Sequence, residues 1–535
     1  MKFRLAYLAT ITAMLSAACA LLVDIPDSVS VATDSGTNSE EEDAAQACTG
    51  PIRLRLLNAT DSISVADVAL PFFLGANDLL REINETGGIR GCPLEFEFVQ
   101  TEFTNPAKAV EIYENWKTKP EWNDVVAIFG VGSADALALG PKVTQDKKVL
   151  ISTAYNGTLA SPLPVKLGVD VPEVSFVEGP PTQMNETTFS QEVESKGYPY
   201  VFFPGTDYST AMRIAMFHVS TVEPGARIGF VHCAANEFCL NPLPAGKTYA
   251  KQLGLLMGRE LLAELTDRPD KYGPLVTSYF VTEASHVLSE EAQSRTYKPV
   301  SWLWAGNLTA GTAILASVIG QLQNSPNPNS AAIPDAVWEK AKEIMTSTRI
   351  IANNFGFDES LGVSFCPKLP APNPCQKIFG VMPFLAFGDR STGSTEMQKV
   401  VDLHDKWRAR DVNESYNDAA AIIAAGLPVP TTRSVRYVQG YMNVKLLKMG
   451  IERVMDQGKP VTGENLKAAL ETFQSEDTGG LTAPLSFSPD DHRPQSTVSI
   501  YTLDYPTSDA GPIVGTLKNI PPTRRIALQN QWLGW

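Results

Sequence analysis

The chain is poor in the residues that most often do chemistry. Its 535 residues include five histidines and seven cysteines. No Gly-x-Ser-x-Gly or His-Glu-x-x-His spacing occurs, so neither a nucleophile elbow nor a zinc-protease helix is written into it. His218, His232, His286, His404 and His492 are scattered, none with a partner at motif spacing. Positive charge is scarce as well: 44 Lys and Arg stand against 59 Asp and Glu, for a net charge of −15. Without a basic stripe to meet phosphates, nucleic acid is excluded as a partner. Beyond the N-terminus no apolar run approaches the ~20 residues of a membrane-spanning helix. Hydrophobic residues at 44% and charged residues at 19% describe a foldable globular chain.

What is present begins with Lys2 and Arg4, followed by an apolar run from Leu5 to Ala18. The run is too short to span a bilayer and is laid out like a secretory signal. Its end, Leu15-Ser16-Ala17-Ala18-Cys19, resembles a bacterial lipobox, with Ser16 where that motif prefers Leu. The resemblance implies a signal peptide over 1–18 and a lipid on Cys19, the membrane being met only through that lipid. A plain signal peptide is the alternative. Residues 19–47 include DSGTNSEEEDAAQA, which is too polar to bury a core and reads as a flexible acidic tether.

With Cys19 assigned to lipid, six cysteines remain for an oxidising compartment. Proximity suggests Cys48–Cys92, Cys233–Cys239 and Cys366–Cys375, one of about 15 possible pairings. A metal reading of His232-Cys233 with Cys239 lacks the other ligands of a tetrahedral site. No metal or cofactor is expected.

The length predicts two or three domains. From Cys48 onward strand-like and helix-like segments alternate. IRLRLLN (52–58), PLEFEFVQ (93–100), DVVAIFG (124–130) and KKVLISTA (147–154) read as strands. Phe72, Phe73, Ala76, Leu79, Leu80 and Ile83 fall at helical spacing, and Gly87 is a natural left-handed stop. Helices are also expected over 105–119 and 133–144. After a Pro-, Val- and Glu-rich stretch at 162–197, read as a long loop or insertion, the rhythm resumes. It continues with YPYVFFPG (198–205), a helix from about Ser209, a strand at 226–234, a helix over 245–265 and a strand at 299–306. A helix over 309–322, a strand at 349–356 and helices over 394–410 and 433–456 follow. The stretch 484–505 reads as two strands around an acidic turn. Such a βα rhythm implies parallel sheets covered on both faces.

The stretch ANDLLREINETGGIRGCPLEFEFVQTE is similar to one typical of the leucine/isoleucine/valine-binding family of type I periplasmic solute-binding proteins. There a helix ends in Ile-Asn, a Gly-Gly turn follows, and a further Gly precedes the second strand. Ile83, Asn84, Gly87, Gly88 and Gly91 hold those places here. DVVAIFGVGSADALALGPKVTQDKKVLISTA, YPYVFFPGTD and RYVQGYMNVKLLKMGIERV continue the resemblance in order, so that it covers nearly all of 50–505. PLSFSPDDH resembles a late turn of the family, with Asp491 where glycine is usual.

The resemblance implies an α/β fold of two doubly wound lobes, a Venus-flytrap clamp joined by a multi-strand hinge. The boundaries it suggests are lobe 1 over 48–198, lobe 2 over 199–376, a return to lobe 1 over 377–488, and a lobe 2 tail with C-terminal extension over 489–535. It implies a small-molecule ligand held between the lobes and an ABC-type permease as partner. A signalling partner reading the closed state is the alternative, and no enzymatic activity is expected.

Site residues carry over position by position. The turn at Ser133 and Ala134 corresponds to the family's grip on a ligand carboxylate, and a helix amino end suits an anion. Ser133 also suits a plain N-cap. Ala154 and Asn156 fall on the second ligand turn, with Asn156 in place of a hydroxyl residue. Phe238 and Asn307 fall near the family's aromatic contacts, with Trp304 close by. The acid that clamps an amino acid's ammonium aligns at Asn353-Asn354, and an amide cannot neutralise a buried ammonium. Asp358 and Glu359 lie further along that loop. The expected ligand is therefore a small polar molecule, either an amino acid or a related amide or carboxylate.

Overall fold

The computed structural model describes residues 48, 50–60, 65–103, 105–160, 162, 166–174, 186–194, 197–233, 236–265, 267–366, 374–411, 431–504 and 516–528. The expected signal peptide, Cys19 and the tether at 19–47 lie outside the described residues.

The first lobe opens with β1 (Ile52–Asn58), α1 (Ala66–Glu85) and β2 (Leu94–Gln100). Gly87, Gly88 and Gly91 all take positive φ, at 98°, 82° and 85°, which a side chain would oppose. Asn84 then clasps the new strand: its Nδ2 donates to Leu94 O at 2.9 Å and its Oδ1 accepts from Leu94 N at 2.7 Å. The turn lays β2 parallel to β1, and Cys48–Cys92 joins the approaches to the two strands. Next come α2 (Pro106–Lys117), β3 (Val125–Phe129), α3 (Ser133–Asp146), β4 (Val149–Ile151) and β7 (Val201–Phe202). The five parallel strands lie in the order β2-β1-β3-β4-β7. Between β4 and β7 the insertion at 162–197, expected as loop, carries an antiparallel pair, β5 (Lys166–Val174) with β6 (Glu186–Glu194).

The second lobe has α4 (Tyr208–Val222), β8 (Arg227–His232), α5 (Pro242–Gln252), β9 (Leu256–Leu262) and α6 (Pro269–Ala292). It continues with β10 (Val300–Gly306), α7 (Thr309–Gln323), α8 (Asp335–Ser347), β11 (Arg349–Ala352) and β12 (Ile378–Met382). The helix expected over 245–265 stops early. Gly254, at φ 74°, ends it, and Leu256–Leu262 pairs with β8 as an edge strand despite its helix-favouring residues.

The chain then returns to the first lobe as α9 (Met397–Arg410), α10 (Val435–Asp456) and α11 (Gly463–Leu470). It ends in the second lobe with β13 (Thr497–Asp504) and β14 (Thr516–Arg525). The second sheet runs β14-β13-β12-β11-β10-β8-β9, and its last two strands pair antiparallel.

Several expectations shift. β7 belongs to the first sheet and β12 to the second, so the chain crosses after Phe202 and after Met382, a few residues later than the expected 198 and 376. The stretch 484–505 holds one strand, β13, preceded by a tight bridge from Ser488 to Asp491. The partner of β13 is β14, whose prolines Pro521 and Pro522 suit an edge. Among the described residues, α10 is buried over most of its surface. It crosses α1 where Gly75 and Gly440 leave room. A Cβ on Gly75 would strike Tyr437 O, and one on Gly440 would strike Phe72 O.

Cys233–Cys239 and Cys366–Cys375 are also joined. Among the described residues three segments cross between the lobes, and Thr206 Oγ1 donates to Thr497 O at 2.6 Å, tying two of them together.

Candidate functional site

In open α/β sheets ligands sit beyond the carboxyl ends of the strands, where the strand order reverses. In the first lobe that point lies between β1 and β3. A pocket with an empty volume of about 510 Å³, its mouth included, opens there. Its walls are the ends of β1 and β3, the first turns of α1, and Phe98, Phe103 and Thr153.

Beside it, α3 begins at Ser133. Asp135, two residues on, folds back over the turn: its Oδ2 accepts from Val131 N at 2.8 Å and its Oδ1 from Gly132 N at 2.6 Å. Burial pushes the Asp135 carboxyl up to about 6, against the pull of those N–H groups. The Val131 and Gly132 N–H groups, which precede Ser133, thus already hold a carboxylate of the chain itself. Ser133 Oγ is buried and faces the Tyr208 hydroxyl without a well-formed hydrogen bond to it. Ala134 is half-buried. On the second turn, Ala154 N donates to Ser152 Oγ at 3.0 Å. Asn156 Oδ1 accepts from Thr158 N and Oγ1, as a turn-forming side chain does, while its Nδ2 is buried and unpaired.

Between the lobes lies an aromatic cluster drawn from both. Tyr155 of the first lobe has ring centroids 5.7 Å from Phe355 and 6.1 Å from Tyr208, both of the second. Phe238 lies 5.3 Å from Tyr208 and 5.9 Å from Phe355. Phe203 and Phe384, on two of the crossing segments, flank Tyr155 at 5.6 and 5.8 Å. Tyr155 Oη is buried without a partner, and burial pushes its phenol well up.

The turn Asn236–Cys239 carries Phe238 because Asn236 Oδ1 accepts from Phe238 N at 2.9 Å and Cys233–Cys239 closes the loop behind it. Both amide atoms of Asn354 are buried and unpaired next to Phe355. The structure thus brings Ser133, Phe238 and Asn354 to one junction. Asn307 spends its amide inside the second lobe: Nδ2 donates to Ala263 O and to Tyr272 Oη, and Oδ1 accepts from Leu308 N. Trp304 lies in the core under α4.

A polar knot fastens the junction. Ser434 caps α10, and two residues later Arg436, fully buried, reaches into the 353–360 loop of the second lobe. Its Nη1 donates to Asn354 O at 2.6 Å, its Nη2 to Phe357 O at 3.1 Å, and its Nε pairs with Asp358 at 3.4 Å. Glu359 accepts from Val435 N at 2.8 Å and Phe387 N at 2.7 Å, and burial with the nearby Asp358 charge raises it to about 7. Asp67, in the first turn of α1, accepts from Ala310 N at the start of α7, at 3.1 Å. Burial and Asp358 raise it to about 7 against the pull of Arg436. Asp358 and Glu359, which follow the expected ammonium position, are therefore engaged in holding the lobes together.

The sequence reading missed Asp67, Tyr155, Tyr208, Phe355 and Arg436. A lone arginine inside the apolar start of a buried helix was the available signal for Arg436.

Residues 57–262 match the family described as periplasmic binding protein. No curated protein matches the chain in sequence. Among solved structures, an ABC transporter substrate-binding protein from Aeropyrum pernix superimposes with a TM-score of 0.62 at 19% identity, covering 91% of this chain and 99% of its own. A fatty acid ABC transporter substrate-binding protein from Thermomonospora curvata gives 0.57 at 17%, over 89% and 93%. A branched-chain amino acid ABC transporter protein from Thermus thermophilus, with bound valine, gives 0.56 at 13%, over 89% and 97%. With the match at 57–262, these likenesses show that the chain has the type I periplasmic binding protein fold, two α/β lobes facing one another across a cleft.

Proposed function

We propose that the protein is an extracytoplasmic solute receptor that captures a small ligand between its lobes and delivers it to an ABC-type permease. The observation that carries this reading is the junction itself. Aromatic rings from both lobes meet there around buried polar atoms that have no protein partner: Ser133 Oγ, Tyr155 Oη and the Asn354 amide. Buried polar groups are nearly always paired, so such a cluster at a hinge is where a ligand's own donors and acceptors are expected. Ser133, Phe238 and Asn354 would touch the ligand, with Tyr155 and Tyr208 beside them. Closure is a hinge motion driven by tighter binding to the closed state. An amide at Asn354 favours a neutral ligand such as an amide over an α-amino acid. Tethering through a lipid on Cys19, after removal of 1–18, belongs to the same proposal.

The test is thermal unfolding of the full chain against amino acids, amides, carboxylates and sugars. A ligand at 100 times its Kd adds about 2.7 kcal/mol to the native state, and small-angle scattering reads closure in parallel. A shift with α-amino acids alone would sink the preference for neutral ligands. No shift and no closure with any compound would sink the receptor reading. Mass spectrometry of the membrane-extracted protein checks for diacylglycerol on Cys19.

A further inference from the structure

We infer that closing the lobes takes up protons: Asp67 and Glu359 are neutral in the joined lobes and ionise when the lobes part, so that the clamp is latched in mildly acidic water and loosened as pH rises. This goes beyond the receptor reading and borrows from it only the hinge motion. Three carboxyl groups and one guanidinium meet across the cleft. The first lobe brings Asp67, at the start of α1, and Arg436, at the start of α10, while the second brings Asp358 and Glu359. Asp358 is the carboxylate that the guanidinium meets, at 3.4 Å, and it also accepts from Thr309 Oγ1 and Ser360 N, each at 2.8 Å. The Nη1 and Nη2 groups of Arg436 donate instead to Asn354 O, Phe357 O and Gln439 Oε1. Among the described residues no second cation is bonded to Asp67, Asp358 or Glu359.

One cation cannot neutralise three carboxylates, and an unpaired charge held out of water is costlier than a retained proton. Asp67 is 5% exposed and Glu359 half-buried, and both face the Asp358 charge. Burial first, and Asp358 second, push the two carboxyls up to about 7 from ordinary values of 3.8 and 4.5. The other titratable groups facing the set are phenols. Tyr155 and Tyr208 look onto Arg436, and Tyr501 looks onto Glu359. Burial pushes all three upward, so they keep their protons. Behind them, Asp389 is bonded to Tyr501 Oη, and Asp135, which faces Tyr208, is bonded within its own turn.

The bonds that hold these two carboxyls in place cross the junction. Asp67 accepts from Ala310 N of the second lobe, and Glu359 accepts from Val435 N and Phe387 N of the first. Parting the lobes breaks these bonds, lets water in and returns both groups to the ordinary carboxylate range. Below about pH 4 they are protonated in either arrangement. Between about 4 and 7 the parted lobes give up protons that the joined lobes keep. Each retained proton then weakens closure about tenfold per pH unit, and the loss is complete above about 7. Asp78 supplies the contrast. It too is raised to about 7, yet its partners Arg408 and Tyr437 are both in the first lobe, so parting the lobes leaves it unchanged.

Hydrogen exchange of the full chain, with no ligand added, reads the opening even when it is rare. The probes are the amides of Ala310 and Val435, each bonded to a carboxyl of the opposite lobe. Corrected for the intrinsic rate, their protection should fall at least about tenfold between about pH 5 and pH 7.5. It should also stay below that of the β1 amides throughout, because the lobes part without unfolding. Asp67→Asn and Glu359→Gln should each flatten the profile, and the double variant should show almost no slope. Asp78→Asn should leave the slope as it is. A flat profile in the unaltered chain would overturn the latch, and that result needs no variant to fold. So would a slope that survives the double variant, a slope that Asp78→Asn removes, or junction protection equal to that of β1. No ligand enters the measurement, so a flat profile leaves the receptor reading standing, and a ligand panel without a binder leaves the latch standing.

Discussion

The first-lobe pocket and the knot around Arg436 are neighbours at the cleft, yet one is walled by carbon and the other packs a guanidinium, two carboxylates and several backbone carbonyls out of water. In the pocket, apolar walls need no polar partners. In the knot, every ion removed from water must be met by an opposite charge or a dipole, so its members are mutually dependent. The knot has to stay intact for the lobes to hold this arrangement.

The sharpest way to break this contrast is Arg436→Ala. It leaves Asp358 without its cation and the carbonyls of Asn354 and Phe357 without donors, so the expected cost is about 3–5 kcal/mol. Chemical denaturation measures it, and scattering should show the lobes apart. A loss under about 1 kcal/mol would mean the knot is not what holds the junction. Phe129→Ala, in the pocket wall, should cost about 3 kcal/mol through the cavity it leaves. Its effect should stay within the first lobe, with closure by ligand still visible in scattering.

Asp67→Asn should act through pH. The Asp67 carboxyl is raised to about 7 in the folded chain from an ordinary 3.8. Below about pH 4 it is protonated folded or unfolded and contributes no slope. Between about 4 and 7 the unfolded chain gives up the proton while the folded chain keeps it, so stability falls as pH rises, and the full cost is present above 7. Asparagine keeps an acceptor for Ala310 N without this titration, so the variant should gain up to about 4 kcal/mol at pH 8 relative to pH 4. Asp78 and Glu359, both raised to about 7, add slopes of the same sign that the variant leaves in place. Parallel melting curves across pH would show that Asp67 is not held as described. The smallest effect belongs to Lys147→Ala. Its exposed pair with Glu464, at 2.7 Å, is screened by water, so no resolvable change in denaturation midpoint is expected, and a clear loss would mark that edge of the first lobe as unexpectedly rigid.

Legibility followed the range of the interactions. The Ile-Asn-x-x-Gly-Gly turn was readable because positive φ and the Asn84 clasp are decided within about ten residues. The turns that carry the candidates Ser133 and Phe238 were readable because their own neighbours shape them. β9 was not, since its residues favour a helix and only the free edge of β8 makes it a strand. β14 was missed for a related reason: its prolines argue against a strand anywhere but at an edge, and the edge is made by β13.

The family resemblance implied the two lobes, while the sequence by itself determined the alternation of strands and helices, the short disulfide loops and the scarcity of catalytic chemistry. Those follow from periodicity, turn residues and composition, all of them local. Only the tertiary structure decided that Asp135 folds back onto the N–H groups of Val131 and Gly132, that Asn307 turns inward, and that Arg436 holds a loop some 80 residues away in sequence. Each depends on which groups burial leaves facing one another. A charge taken out of water must find its partner wherever the fold has put one.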